Sequence, residues 1–314
     1  MFAELHASDP MLPIEHIILG IVAPVLISAA VLMAAWRPWR ERERARGGWG
    51  PPVAVGLGVL AAFIGLFGLP PLPPVESWQW LFYLTLAAAL LGVADALVAA
   101  PLAVRRGLMW IPLAIAPWLL VRLLLPLEWS PGATYGFIAA LAVANIIIWT
   151  AIDVLALRAG RFTLLLVLTI LVSAASKVVL DSANAKLAQL AGALAATLGP
   201  AMVLALWRDR GINPPAGGTR TAATALSGRA TLTITLPFTG VLMSAYVNNY
   251  GDVPAASFVL LAAAPVAMAL AEFAPLHRLR PWQALLTRLS VAALPMLVAL
   301  VLSMQAAAAM EEYD

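Results

Sequence analysis

The chain has 314 residues, of which 62% are hydrophobic and 11% are charged, with a formal net charge of +3. Soluble domains have about a quarter charged residues, so this composition excludes a soluble globular protein and indicates an integral membrane protein. Because the sequence has no cysteine, disulfides, thiolate metal sites and cysteine nucleophiles are excluded.

Ten apolar segments are long enough to cross a membrane as helices, since about 20 residues span the hydrocarbon core. Continuous apolar runs of this length exclude the alternating pattern of a β-barrel. We therefore predict an all-α, polytopic transmembrane helical bundle that forms a single integral membrane domain over residues 1–314. The predicted spans are 16–36, 53–69, 80–101, 108–126, 134–157, 162–180, 187–207, 231–249, 255–275 and 284–308.

Two of these segments depart from a plain helical pattern. The fourth contains Pro112, Pro117 and Arg122, which favours a kinked or broken helix. The eighth begins with TLTITL, which alternates as a strand does. We still predict a helix there, because a lone strand in lipid leaves its backbone unpaired.

The basic residues alternate between successive loops. Every arginine and lysine except Arg122, Lys177 and Lys186 lies in, or just beyond, a loop that follows an odd-numbered span. The positive-inside rule predicts that these loops are cytoplasmic and that both termini are extracytoplasmic. The longest loop, 208–230, is polar and too short to form a domain.

The loop between the first two spans is the most basic part of the chain. We interpret it mainly as a topology signal, with a second role in contacting anionic lipid headgroups. Nucleic-acid binding is not favoured, because glutamates offset part of the charge and the stretch contains no known nucleic-acid-binding module. Arginine strongly outnumbers lysine, which is typical of GC-rich bacterial genomes and predicts the bacterial cytoplasmic (inner) membrane. The arginines of this loop are Arg37, Arg40, Arg42, Arg44 and Arg46.

Few ionisable residues lie within the predicted spans, where they are costly and mark functional sites by default. Asp95 lies deepest, while Asp153 and Glu272 lie near the cytoplasmic ends of the fifth and ninth spans. All three acids precede arginines along the chain, so an ion pair near the membrane surface is the alternative to a substrate path. Asn145, in the middle of the fifth span, is a further candidate, with interhelical hydrogen bonding as its alternative role.

Three further candidates lie toward the extracytoplasmic side. Lys177 and Asp181 have the spacing of an intrahelical ion pair on the sixth span. Arg122 either snorkels to the surface or faces a cavity that it shares with Lys177. If both cations face inward, the outer vestibule favours an anionic solute.

The sequence has no recognised catalytic or cofactor-binding pattern. Its three histidines lie at depths that do not suit two axial haem ligands, and it lacks a zinc-protease helix, a nucleophile elbow and a P-loop. We therefore expect no cofactor, no metal site and no enzymatic activity.

Two function classes fit these observations. The first is a secondary transporter or permease for a small solute, supported by the span number, the helix-breaking prolines and the few buried charges. The alternative is a non-catalytic structural or assembly subunit of a larger membrane complex. The expected partners are the lipid bilayer and either other membrane subunits or further copies of the chain.

Overall fold

The structure is a computed structural model that describes residues 14–36, 48–98, 101–125, 129–159, 161–211, 230–273 and 281–311. Within these ranges the regular structure is helical and no strand is present. The α-helices are α1 Ile14–Ile17, α2 Ala23–Trp36, α3 Gly50–Phe67, α4 Trp80–Leu97, α5 Leu102–Val121, α6 Pro131–Arg158, α7 Arg161–Asp181, α8 Ala185–Gly211, α9 Thr231–Val247, α10 Ala255–Ala271 and α11 Pro281–Glu311.

Eight helices in the described ranges are long and apolar enough to cross a membrane. One of them combines α1 and α2, which are joined by the π-helical turn Ile18–Val22. Both α9 and α10 are also apolar, but each has 17 residues and falls short of the usual spanning length. The predicted transmembrane helical bundle is confirmed, whereas the count of ten spans and the location of the termini stay predictions.

The two segments with unusual patterns both form helices. The segment that begins with TLTITL is helical from Thr231, as predicted. The α5 helix starts at Leu102, earlier than the predicted span, because Pro101 caps a helix that includes Arg105 and Arg106. It continues through Pro112 and Pro117 to Val121, so the fourth span is not broken at its prolines.

The α9 helix lies at the centre of the bundle. All its residues from 231 to 245 are buried, and it contacts α3 to α8 and α10. Its threonines fit this apolar setting because Thr235 and Thr239 donate their hydroxyls to backbone carbonyls one turn earlier, at 2.7 and 2.9 Å. The hydroxyl of Thr233 instead reaches across to the carbonyl of Ala88 on α4, at 3.3 Å.

The bundle has two chemically different ends. The arginine end, as we call it, holds Arg105, Arg106 and Arg288, which pair with acids on neighbouring helices. At the opposite end, Asn184 Nδ2 donates to the carbonyl of Asn248 at 2.7 Å, which joins the α7–α8 turn to the α9–α10 turn.

Candidate functional site

Asp95, the acid predicted to lie deepest in the membrane, forms a bidentate ion pair. Asp95, at the end of α4, accepts from both Nε and Nη2 of Arg105, and the Nη2–Oδ2 distance is 2.7 Å. Only 1% of the Asp95 side chain is exposed. The pair links the end of α4 to the first turns of α5. For Asp95, this ion pair is the structural role that stands as the alternative to a substrate path.

The two other acids also pair with arginines. Asp153 on α6 accepts from Arg106 Nη2 at 3.0 Å, and Arg106 is the direct neighbour of Arg105 on α5. Glu272 at the end of α10 accepts from Nε and Nη2 of Arg288 on α11. The carboxylates of all three acids are therefore neutralised by cations at the arginine end.

Three buried polar side chains form a stripe along α6, which we call the α6 stripe. Asn145, Trp149 and Asp153 follow one another at four-residue spacing and are 1%, 2% and 5% exposed. Residues at this spacing lie on one face of a helix, about one turn apart. The stripe therefore runs from the middle of α6 to its ion pair with Arg106 at the arginine end.

A proline on α5 explains how Asn145 is held. Pro117 has no amide hydrogen to donate to the carbonyl of Leu113, four residues earlier in the helix. Asn145 Nδ2 donates to this carbonyl at 3.1 Å. The α5–α6 interface thus satisfies a backbone acceptor that the helix itself leaves without its usual donor.

The α6 stripe also carries polar atoms without partners. In the part of the chain that the structure describes, six buried side-chain nitrogen or oxygen atoms have no hydrogen-bond partner. Three belong to the stripe and its ion pair, namely Asn145 Oδ1, Trp149 Nε1 and Arg106 Nε. Because an unsatisfied buried polar group costs about 1–3 kcal/mol, this concentration requires an explanation.

Trp149 was not among the residues predicted from the sequence. An aromatic residue in an apolar segment is usually a packing or lipid-facing residue, so composition gave no reason to select it. Its position midway between Asn145 and Asp153 is the signal that identifies it.

The candidates at the opposite end each have a local partner. Lys177 pairs with Asp181 one turn later, as their spacing predicted, and Asp181 Oδ2 is buried without a partner. The Arg122 guanidinium lies over the Trp118 ring, 4.2 Å from its centroid. Neither contact joins Arg122 to Lys177, so the anion-attracting vestibule stays a prediction.

Other predicted features fall outside the site. The five arginines from Arg37 to Arg46 lie outside the described residues, as does most of the 208–230 loop. Among the described residues, no group of three or more histidine, cysteine or acidic side chains is placed to hold a metal ion.

A small cavity lies beside α9, away from the α6 stripe. Its volume of ≈ 10 Å³ is about that needed for one water molecule. It is lined by α3, α4, α8 and α9, and its lining is almost entirely apolar. This space offers no set of polar groups that would orient a solute.

Comparison with protein-family models, with curated proteins and with solved structures yields no match. Function is therefore inferred from the geometry of the bundle and the chemistry of the α6 stripe.

Proposed function

We propose that this multi-pass membrane protein is a secondary transporter or permease for a small solute, with its path along the α6 stripe. The main support for this proposal is the set of buried polar atoms without hydrogen-bond partners on Asn145, Trp149 and Arg106. Polar groups in a membrane interior usually face a partner, a cavity or a solute path. Such atoms are costly in an interface that serves only for packing, which favours a solute path here.

Two further features support a path that opens and closes. The ion pair between Asp153 and Arg106 closes the stripe at the arginine end, and 34% of the Arg106 side chain is exposed there. Pro112 and Pro117 lie in α5, which packs against α6. Prolines weaken the helix backbone locally, so α5 is suited to bend away from α6 without breaking its remaining hydrogen bonds.

The absence of natural cysteines allows a direct accessibility test. A thiol must ionise to react with iodoacetamide, so a thiol in a dry interior or in lipid reacts slowly. The test residue is Asn145→Cys on the stripe. The lipid-facing control is Ile147→Cys, which is 50% exposed on the same helix, and the water-facing control is Val75→Cys, 80% exposed in a loop.

The proposal predicts that Cys-substituted position 145 reacts with iodoacetamide far faster than position 147 in reconstituted vesicles. Position 75 sets the rate for a fully accessible thiol. Equal, negligible reaction at positions 145 and 147, with normal reaction at 75, contradicts a water-accessible path along the stripe.

The charge pattern supports a proposal about orientation. Arg105, Arg106, Arg158 and Arg288 lie at or near helix ends at one end of the bundle. Under the positive-inside rule this end faces the cytoplasm, and the arginine-rich composition favours the inner membrane of a bacterium.

A structural or assembly subunit is the second candidate. It is favoured by α11, which has 31 residues and a largely uncovered apolar side that includes Leu294, Leu297 and Val301 at 67%, 59% and 53% exposed. Lipid covers such a side in a transporter, whereas a partner helix covers it in a complex. Purification from native membranes with a partner in fixed ratio, together with an unreactive position 145, supports the subunit.

A further inference from the structure

We propose that the solute of this path is a small, uncharged molecule that carries both a hydrogen-bond donor and an acceptor, as a primary amide does. This inference rests on the proposed transport function and narrows its substrate class.

The unpartnered atoms define which groups a solute must bring. Asn145 Oδ1 is an acceptor and Trp149 Nε1 is a donor, and both side chains are at least 98% buried. They lie one helical turn apart on the same face of α6. A solute with one N–H or O–H and one oxygen acceptor satisfies both atoms together, whereas a purely apolar molecule satisfies neither.

The charge balance of the site favours a neutral solute. Arg106, the cation nearest to the stripe, is already neutralised by Asp153, and its neighbour Arg105 is neutralised by Asp95. A carboxylate or ammonium group beside Asn145 would therefore add an uncompensated charge to an apolar environment, which is strongly unfavourable. Uncharged hydrogen-bonding groups avoid this penalty.

Isosteric pairs of solutes separate charge from shape. Acetamide and acetate are nearly identical in size, as are urea and guanidinium, and one member of each pair is neutral at pH 7. Uptake of each radiolabelled solute is measured in vesicles containing the purified protein and in protein-free vesicles, with the membrane potential clamped to zero.

Three variants connect the uptake to the stripe. Trp149→Phe removes the indole donor. Asn145→Leu removes the acceptor at similar volume, together with the Nδ2 donor to the carbonyl of Leu113. Thr150→Val is the matched control on the same helix, because the Thr150 hydroxyl already donates to the carbonyl of Ile146 at 2.7 Å. Elution as a single species in size-exclusion chromatography verifies that each variant is folded.

We expect acetamide or urea to enter faster than its charged counterpart, after subtraction of the protein-free rate. Each of Asn145→Leu and Trp149→Phe should slow this uptake by about tenfold, the effect of one lost hydrogen bond to the solute, while Thr150→Val leaves it unchanged.

The outcomes distinguish this inference from the proposed function. Faster entry of acetate or guanidinium, or no protein-dependent entry of acetamide and urea although position 145 reacts with iodoacetamide, overturns the neutral-solute inference and leaves the path intact. An unreactive position 145 overturns both. Neutral uptake that Thr150→Val slows as much as Asn145→Leu overturns the assignment to the stripe.

Discussion

The Glu272–Arg288 pair allows a quantitative test of how the bundle neutralises its buried acids. Only 5% of the Glu272 side chain and 15% of the Arg288 side chain are exposed, and two hydrogen bonds join them. Arg288→Met removes the cation and leaves a buried, unpaired carboxylate. A broken buried pair of this kind costs about 3–5 kcal/mol in unfolding free energy.

Replacing both partners should restore most of this loss. In the double variant Glu272→Leu/Arg288→Met, no buried charge is left without a partner, and exchange of a buried pair for apolar residues is often neutral. We therefore expect the double variant to lie within about 1–2 kcal/mol of the parent protein, well above either single variant.

Equilibrium unfolding in mixed detergent micelles at increasing dodecyl sulfate measures both effects. The mutant cycle gives the coupling energy between the two residues directly. A single Arg288→Met variant that unfolds with the same free energy as the parent would refute the conclusion that this pair is buried and mutually dependent. So would strictly additive effects in the double variant.

Three further predictions concern packing and orientation. A Cβ on Gly251 would lie 2.1 Å from the backbone oxygen of Asp181, which cannot swing aside, so Gly251→Ala should destabilise the bundle by about 1–3 kcal/mol in the same unfolding assay. Gly136→Ala is its control, because nothing lies within 4 Å of the new Cβ, and it should be neutral or stabilising by less than about 1 kcal/mol. Equal destabilisation by the two substitutions contradicts the close contact. The Ser28 hydroxyl donates to a backbone carbonyl of α8 at 2.8 Å. Ser28→Ala should lower the unfolding free energy by only about 0.5–1.5 kcal/mol, the usual contribution of an interhelical hydrogen bond in a membrane. A larger loss of unfolding free energy would contradict this limited role. In intact cells, a membrane-impermeant maleimide should modify Val75→Cys, since this loop lies at the end opposite the arginines. Modification only in permeabilised cells would show that the loop faces the cytoplasm, opposite to the proposed orientation.

Much of the fold could be predicted because it depends on local physics. Long apolar runs need helical hydrogen bonding in lipid, so the helices follow from hydropathy alone. The spacing of Lys177 and Asp181 specified their ion pair, because a four-residue separation brings side chains together on any helix. An ion pair between Asp95 and Arg105 was likewise foreseeable as the alternative to a substrate path, since the two residues flank the same short connection between helices.

The central position of α9 and the composition of the stripe could not be predicted in this way. All the spans are similarly apolar, so hydropathy does not show which helix is enclosed by the others. The contact of Asn145 with the carbonyl of Leu113 depends on how α5 packs against α6. Pro117 does signal an unpaired carbonyl on α5, but the sequence does not say which side chain reaches it.

The most direct test of the α6 stripe combines two substitutions on the same helix. Asp153→Asn weakens the pair with Arg106 that closes the stripe, and Asn145→Cys reports access to its middle. In vesicles that expose the arginine end to the bath, our account predicts faster iodoacetamide modification of position 145 when Asp153→Asn is present. Glu272→Gln, which weakens an ion pair on other helices, should leave the rate unchanged. Equal rates with and without Asp153→Asn would contradict a path closed by this pair.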